Sequence, residues 1–174
     1  MNKNIIIVLG IIVIAVLSRL IPHPPNFTPI ITIGLFAGAY IQNKRLPLLI
    51  PLVIFLVSDL FIGFHSTIIW IYASIVVITL IGIRLQNNVK LQTVLTSSVV
   101  GVILFFLISN FGVWISGMVG YPLTITGLVS CYVAGLPFLQ NTFAGTLLYS
   151  ALIFGAYEIA SKILLLNQVV RVKK

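Results

Sequence analysis

The chain has 174 residues, of which 60% are hydrophobic and only 7% belong to the Asp, Glu, Lys and Arg set, with a mean hydropathy of +1.21. A soluble domain devotes about a quarter of its residues to charge, and two acids, Asp59 and Glu158, cannot coat a water-exposed surface. The net charge of +8 comes from basic residues at the ends of apolar runs, with no basic face or motif, so it points to membrane orientation and excludes a nucleic-acid partner. The composition predicts an all-α, polytopic membrane protein forming one transmembrane domain over residues 1–174.

Span 1 covers about residues 5–20. No small-residue cleavage pattern follows its apolar stretch, so an uncleaved first helix is expected rather than a signal peptide. It ends at Ile21-Pro-His-Pro-Pro-Asn-Phe-Thr-Pro29, which cannot continue a helix because each proline lacks an N–H and restricts its predecessor. Span 2, about 30–41, starts just after Pro29, a favourable first-turn position. It would rise only about 18 Å, against a hydrocarbon core of about 30 Å. Either it tilts into thinned bilayer, or part of the Pro-rich segment sits at membrane depth, where irregular backbone must be shielded from lipid.

The polar loop 42–45 leads to span 3, about 46–62, which carries Pro47, Pro51 and, near its far end, Asp59. A tight link through Gly63 and His65 precedes span 4, about 67–83. The second basic loop follows, and then span 5, about 91–114. Residues 117–142 mix apolar and hydroxyl side chains with Pro122 and Pro137, and a short extra helix over 123–134 is expected in this last outer segment. Span 6 covers about 143–166 and ends in the basic tail.

Six spans place both termini and the loops 42–45 and 84–92 on one side. That side collects Lys3, Lys44, Arg45, Arg84, Lys90, Lys162, Arg171, Lys173 and Lys174, leaving only Arg19 opposite. Positive charge is retained on the cytoplasmic side, so an N-in, C-in six-helix bundle follows, as expected in a bacterial plasma (inner) membrane.

The unusual polar residues then fall on the outer half. Arg19, His23 and Asn26 surround the first outer link, and Asp59 and His65 the second. Asn110 and Trp114 share one face at the end of span 5. Tyr121, Tyr132 and Asn141 belong to the long outer segment. Together they read as an outward pocket for a small-molecule solute, in which aromatic rings give apolar contact and amides, His and charge fix orientation. Two plainer readings compete: Trp and Tyr as interface anchors, and Arg19 bonded directly to Asp59 with no ligand. Glu158 four residues before Lys162 reads as a structural helix pair. Cys131 is the only cysteine, and the two histidines with Asp59 show no metal-ligand spacing, so neither metal nor cofactor is expected. No nucleophile, zinc-protease or Walker motif is present, so no catalytic residues are assigned and the protein is not expected to be an enzyme. Gly34, Ala37 and Gly38 in span 2, and Gly145, Ala151 and Gly155 in span 6, mark close helix contacts.

Residues 19–30, Arg-Leu-Ile-Pro-His-Pro-Pro-Asn-Phe-Thr-Pro-Ile, resemble a family of small uncharacterised bacterial membrane proteins. So do Leu35-Phe-Ala-Gly-Ala39, Ser58-Asp59 with Gly63 and His65, Ser109-Asn110 with Trp114, and Cys131-Tyr-Val-Ala-Gly-Leu-Pro-Phe138 with Asn141-Thr142. That family looks distantly similar to the substrate-binding components of energy-coupling-factor vitamin transporters. The resemblance implies six helices around an outward pocket, with uptake driven by a separate membrane scaffold subunit and ATPases. It places substrate contacts at Arg19, His23, Asn26, Asp59, His65, Asn110 and Trp114. Span 1 departs from those components in lacking a regular small-xxx-small repeat. A non-transporting membrane scaffold or regulatory protein is the alternative, followed by a self-contained channel.

Overall fold

The computed structural model describes residues 3–43, 45–64 and 66–172. Among these are six α-helices and no strand: α1 Lys3–Leu17, extended by a 3-10 turn Ser18–Leu20; α2 Ile30–Tyr40; α3 Leu46–Ile62; α4 Ile68–Arg84; α5 Leu91–Ile115; and α6 Ile125–Val172. Their starts follow from the local sequence. Pro29 and Pro47 stand at or beside first turns, where no amide partner is required. At the start of α5 the Lys90 amide donates to Thr93 Oγ1 at 3.0 Å, closing a capping box.

The helices form a ring around a spindle. α1 packs on α3, α3 on α4, α4 on α5, α5 on α6 and α6 back on α1, while α2 touches all five. The sequence of α2 is apolar on every face, and residues 30–39 are all buried, as a helix without a polar stripe requires. Its fit against α4 depends on glycine. A Cβ on Gly38 would lie 2.6 Å from the Gly82 carbonyl carbon and from the Ile83 nitrogen, so only hydrogen there lets the two backbones cross. The carbonyl end of α2 is closed by Gln86, whose Nε2 donates to the carbonyls of Gly38 (2.8 Å) and Ile41 (3.2 Å).

Contacts fix the helix directions. Arg19, just past the end of α1, bonds to Ser58 and Asp59 near the end of α3, so α1 and α3 are parallel. Thr32 bonds at residues 146 and 150, and Phe36 packs on Phe154, so α2 runs with α6. Trp70 at the start of α4 packs on Phe111 near the end of α5, so those two are antiparallel. The end of the bundle bearing Arg19, Asp59 and Trp114 is called here the outer end, and the end bearing Arg45, Arg84 and Lys90 the inner end. The ring turns apolar side chains outward: Ile14, Phe61, Ile69, Leu91 and Ile125 are all 70% or more exposed.

Two expectations change. The short helix at 123–134 and the span at 143–166 are one 48-residue helix. Pro137 and the polar run Gln140-Asn141-Thr142 imitate a break without making one. Proline costs the helix one amide bond, and neighbouring groups satisfy the polar side chains: Thr142 Oγ1 donates to the Phe138 carbonyl (2.8 Å) and Asn141 Nδ2 to the Pro25 carbonyl (3.0 Å). α6 starts level with the end of α5, where Cys131 Sγ lies 3.4 Å from the Asn110 carbonyl, and reaches the start of α2 only near Thr146.

By length and composition, two helices are long and apolar enough to cross a membrane, within Leu91–Ile115 and Ile125–Leu164; the other four are shorter apolar helices. His65, Lys44, Lys173 and Lys174 lie outside the described residues.

Candidate functional site

The Pro-rich segment descends into the bundle. The Phe27 amide donates to the Pro24 carbonyl at 3.0 Å, and Asn26, with φ 62°, occupies the left-handed region that asparagine tolerates. Proline followed by a positive-φ residue in the middle of a four-residue turn is the type II pattern. The turn is pinned by the bond from Asn141 to Pro25, and Phe27 packs over Gly145 and 6.0 Å from Tyr149. As a result α2 begins deep. Ile31 lies against Gly101 of α5, fourteen residues before the end of that helix, about 20 Å below it at 1.5 Å per residue.

Beside that turn lies a hollow with two adjoining chambers that share Asn26, Ile71 and Phe105. The larger, about 460 Å³, opens between α4, α5 and α6. Asn110, Ser109 and Tyr121 supply its polar lining, and Phe105, Val113 and Phe138 its apolar walls. Asn110 Nδ2 donates to the Phe106 carbonyl at 2.9 Å, while Oδ1 accepts no bond among the described residues. Gly135 leaves the room that this amide occupies, since a Cβ there would collide with Oδ1. The smaller chamber, about 160 Å³, is lined by Arg19, His23, Asn26, Thr28 and Thr142 beside the first residues of α2.

Behind the smaller chamber, Arg19 and Asp59 close an ion pair. Arg19 Nη2 donates to Asp59 Oδ1 at 2.8 Å and Nη1 to Ser58 Oγ at 2.6 Å, while the guanidinium sits 4.5 Å above the Phe55 ring. Tyr72 Oη donates to the second carboxylate oxygen at 2.7 Å. Asp59 is 4% exposed and lines neither chamber.

Of the ten residues expected in the pocket, Asn26, Asn110 and Tyr121 meet in the larger chamber and Arg19, His23 and Asn26 in the smaller. The others go elsewhere. Asp59 is spent on Arg19 and Tyr72. Trp114 Nε1 donates to the Pro122 carbonyl (3.0 Å), fastening the α5–α6 link. Tyr132 reaches the Leu107 carbonyl at 2.8 Å on the bundle exterior, and Asn141 holds the turn. His65 is not among the described residues. The hydroxyl and apolar lining at Thr28, Ser109, Thr142, Phe105 and Phe138 was not assigned to the pocket from sequence, although Thr28, Ser109, Phe138 and Thr142 fall within the motifs that carry the family resemblance.

A separate groove of about 380 Å³ lies at the inner end between α5 and α6, where Lys90 and Glu158 border an otherwise apolar wall. Glu158 pairs with Lys162 at 3.4 Å, both well exposed, as the i,i+4 spacing anticipates. No group of three or more His, Cys, Asp or Glu side chains is placed to hold a metal among the described residues.

The fold and the hollow define an all-α helical bundle with an apolar exterior and a cavity at one end. The chain belongs to DUF6580, a family of unknown function, whose match runs over residues 1–168. No curated protein and no solved structure matches it.

Proposed function

We propose that this protein is a membrane-embedded solute-binding component that takes a small molecule into the two-chambered hollow at its outer end. The observation that carries the reading is the cavity of about 460 Å³, within the usual size range of ligand sites, with apolar walls and a few converging amides and hydroxyls. The membrane setting is supported by the exposed apolar side chains on the ring, which exceed what a soluble monomer leaves uncovered. Helices α3 and α4 rise about 25 Å each, at the short end for crossing a bilayer. With α5 and the first part of α6 in antiparallel register, six crossings with N-in, C-in orientation fit the alternating helix directions and the basic inner loops. The resemblance to small bacterial membrane proteins favours a bacterial plasma membrane as the setting.

The likeness to substrate-binding components of energy-coupling-factor transporters supports a role in uptake with a separate scaffold subunit and ATPases. A second reading, a non-transporting scaffold or regulator, is favoured by one observation: Arg19, Asp59 and Tyr72 satisfy one another with no ligand.

The test is a thermal-shift screen of the purified chain in mild detergent, with native mass spectrometry, against vitamins, nucleobases and metal ions. A stabilising compound that loses its effect on Asn110→Leu, but keeps it on the exterior variant Tyr132→Phe, supports the pocket. A flat response across the panel favours the scaffold reading.

A further inference from the structure

The chemistry of the hollow narrows what it would hold. Across both chambers Arg19 is the only side chain of fixed charge among the described lining residues, and no carboxylate joins it; the paired Asp59 lies behind the guanidinium. A cation entering this space would meet no free carboxylate, because the nearest one, Asp59, is already engaged by Arg19 and Tyr72. Arg19 spends bonds on Ser58 and Asp59, and a guanidinium carries five N–H donors, so donors remain on the side chain that borders the smaller chamber.

The same chamber touches the start of α2. The first backbone bond of that helix is from Ile33 to the Pro29 carbonyl, and Pro29 provides no side-chain cap. The amides of Ile30, Ile31 and Thr32 donate to nothing among the described residues, although these residues are 8%, 1% and 0% exposed. Buried amides are rarely left unpaired. The opposite end of α2 is satisfied by Gln86, so the shortage is confined to the end that meets the cavity. Thr28 adds a further hydroxyl donor, while His23 Nδ1 is already spent on the Pro24 carbonyl at 3.0 Å. The adjoining larger chamber differs in kind: Ile71, Phe105, Val113 and Phe138 give it apolar walls, two of them aromatic rings.

We infer that the solute is a monoanion with a flat apolar body, of the aromatic carboxylate class, its carboxylate beside Arg19 and the first amides of α2 and its ring between Phe105 and Phe138. This rests on the pocket reading above and deepens it. Charge-assisted bonds to a carboxylate in a site shielded from water are stronger than those to a neutral amide of the same shape, so the two should be discriminated.

The test uses the full chain in mild detergent at neutral pH, with isothermal titration of matched probes: benzoate against benzamide and 2-naphthoate against 2-naphthamide. At least one carboxylate is expected to bind about tenfold or more tighter than its amide. In the double variant Arg19→Gln/Asp59→Asn, which removes both charges together and keeps hydrogen-bonding groups, that preference should fall while amide binding persists. Thermal unfolding of the variant checks that it is folded. Equal binding of acid and amide, or a preference unchanged in the double variant, overturns the inference. If the broader thermal-shift screen finds a neutral or cationic ligand and neither probe series binds, the anion assignment falls and the pocket stands. If neither experiment finds a ligand, both fall.

Discussion

Replacing Arg19 with methionine should cost more than any other single change at the outer end, and the structure indicates how much. The variant removes the guanidinium from above the Phe55 ring and strips Asp59 of its counter-ion. The side chain of Asp59 is 5% exposed, and only the Tyr72 hydroxyl would remain to it, so it can neither reach water nor find a second cation. Removing one partner of a buried pair costs about 3–5 kcal/mol. Asp59→Leu should cost less, because Arg19 is 11% exposed and can turn toward the chamber while keeping Ser58. The double variant Arg19→Met/Asp59→Leu should recover most of the loss, since well-packed apolar pairs often replace buried ion pairs at little cost. Equilibrium unfolding in detergent, followed by far-ultraviolet circular dichroism, yields the cycle directly, with an expected coupling of about 2 kcal/mol or more. Additive single variants, with coupling below about 0.5 kcal/mol, would refute the claim that this pair is energetically closed.

Three further outcomes follow from particular contacts. Gly38→Val should abolish the folded monomer on size-exclusion chromatography, because its side chain meets α4 backbone, whereas Gly155→Ala, with open space around it, should be neutral. Thr146 Oγ1 is buried without a partner among the described residues, so Thr146→Val should be neutral or stabilising by up to about 1–2 kcal/mol in the same unfolding assay; a clear loss would reveal a partner for the hydroxyl. In a Cys131→Ser background, a cysteine at Lys90 should be protected from impermeant reagents applied outside whole cells and one at Gly120 should label; the reverse pattern would overturn the orientation.

Helix positions were largely legible because apolar runs end at proline or polar loops: α3 occupies the expected 46–62, and α2, α4 and α5 differ by a residue at their ends. The Arg19–Asp59 pair was also legible, since span alternation puts both residues at one end. Its third member was not: nothing in sequence separates Tyr72 from the other tyrosines. Two failures share a cause, the rotation and continuity of helices. Asn110 and Trp114 lie on one face by spacing, yet the long Trp114 ring swings to the Pro122 carbonyl while the short amide stays at the cavity. Pro137 reads as a stop, but it is exposed on α6 and removes only one amide bond from a helix that continues on both sides. The position of the Pro-rich turn was not legible: the bond from Asn141 to Pro25 and the contact of Ile31 with Gly101 set it beside the middle stretches of α6 and α5.

The spindle position of α2 has a consequence for biogenesis. Eleven residues rise about 16 Å, too little to hold a bilayer-crossing position alone, and the turn before it brings unpaired amides into the interior. In a membrane, such a segment can settle only once the surrounding helices exist to shield it. Because α4, α5 and α6 are synthesised after α2, its final seating must wait until most of the chain has been made. A chain truncated before α6 would therefore leave the second helix without its Thr146 and Ser150 contacts, and should be a substrate for quality control rather than a smaller working protein.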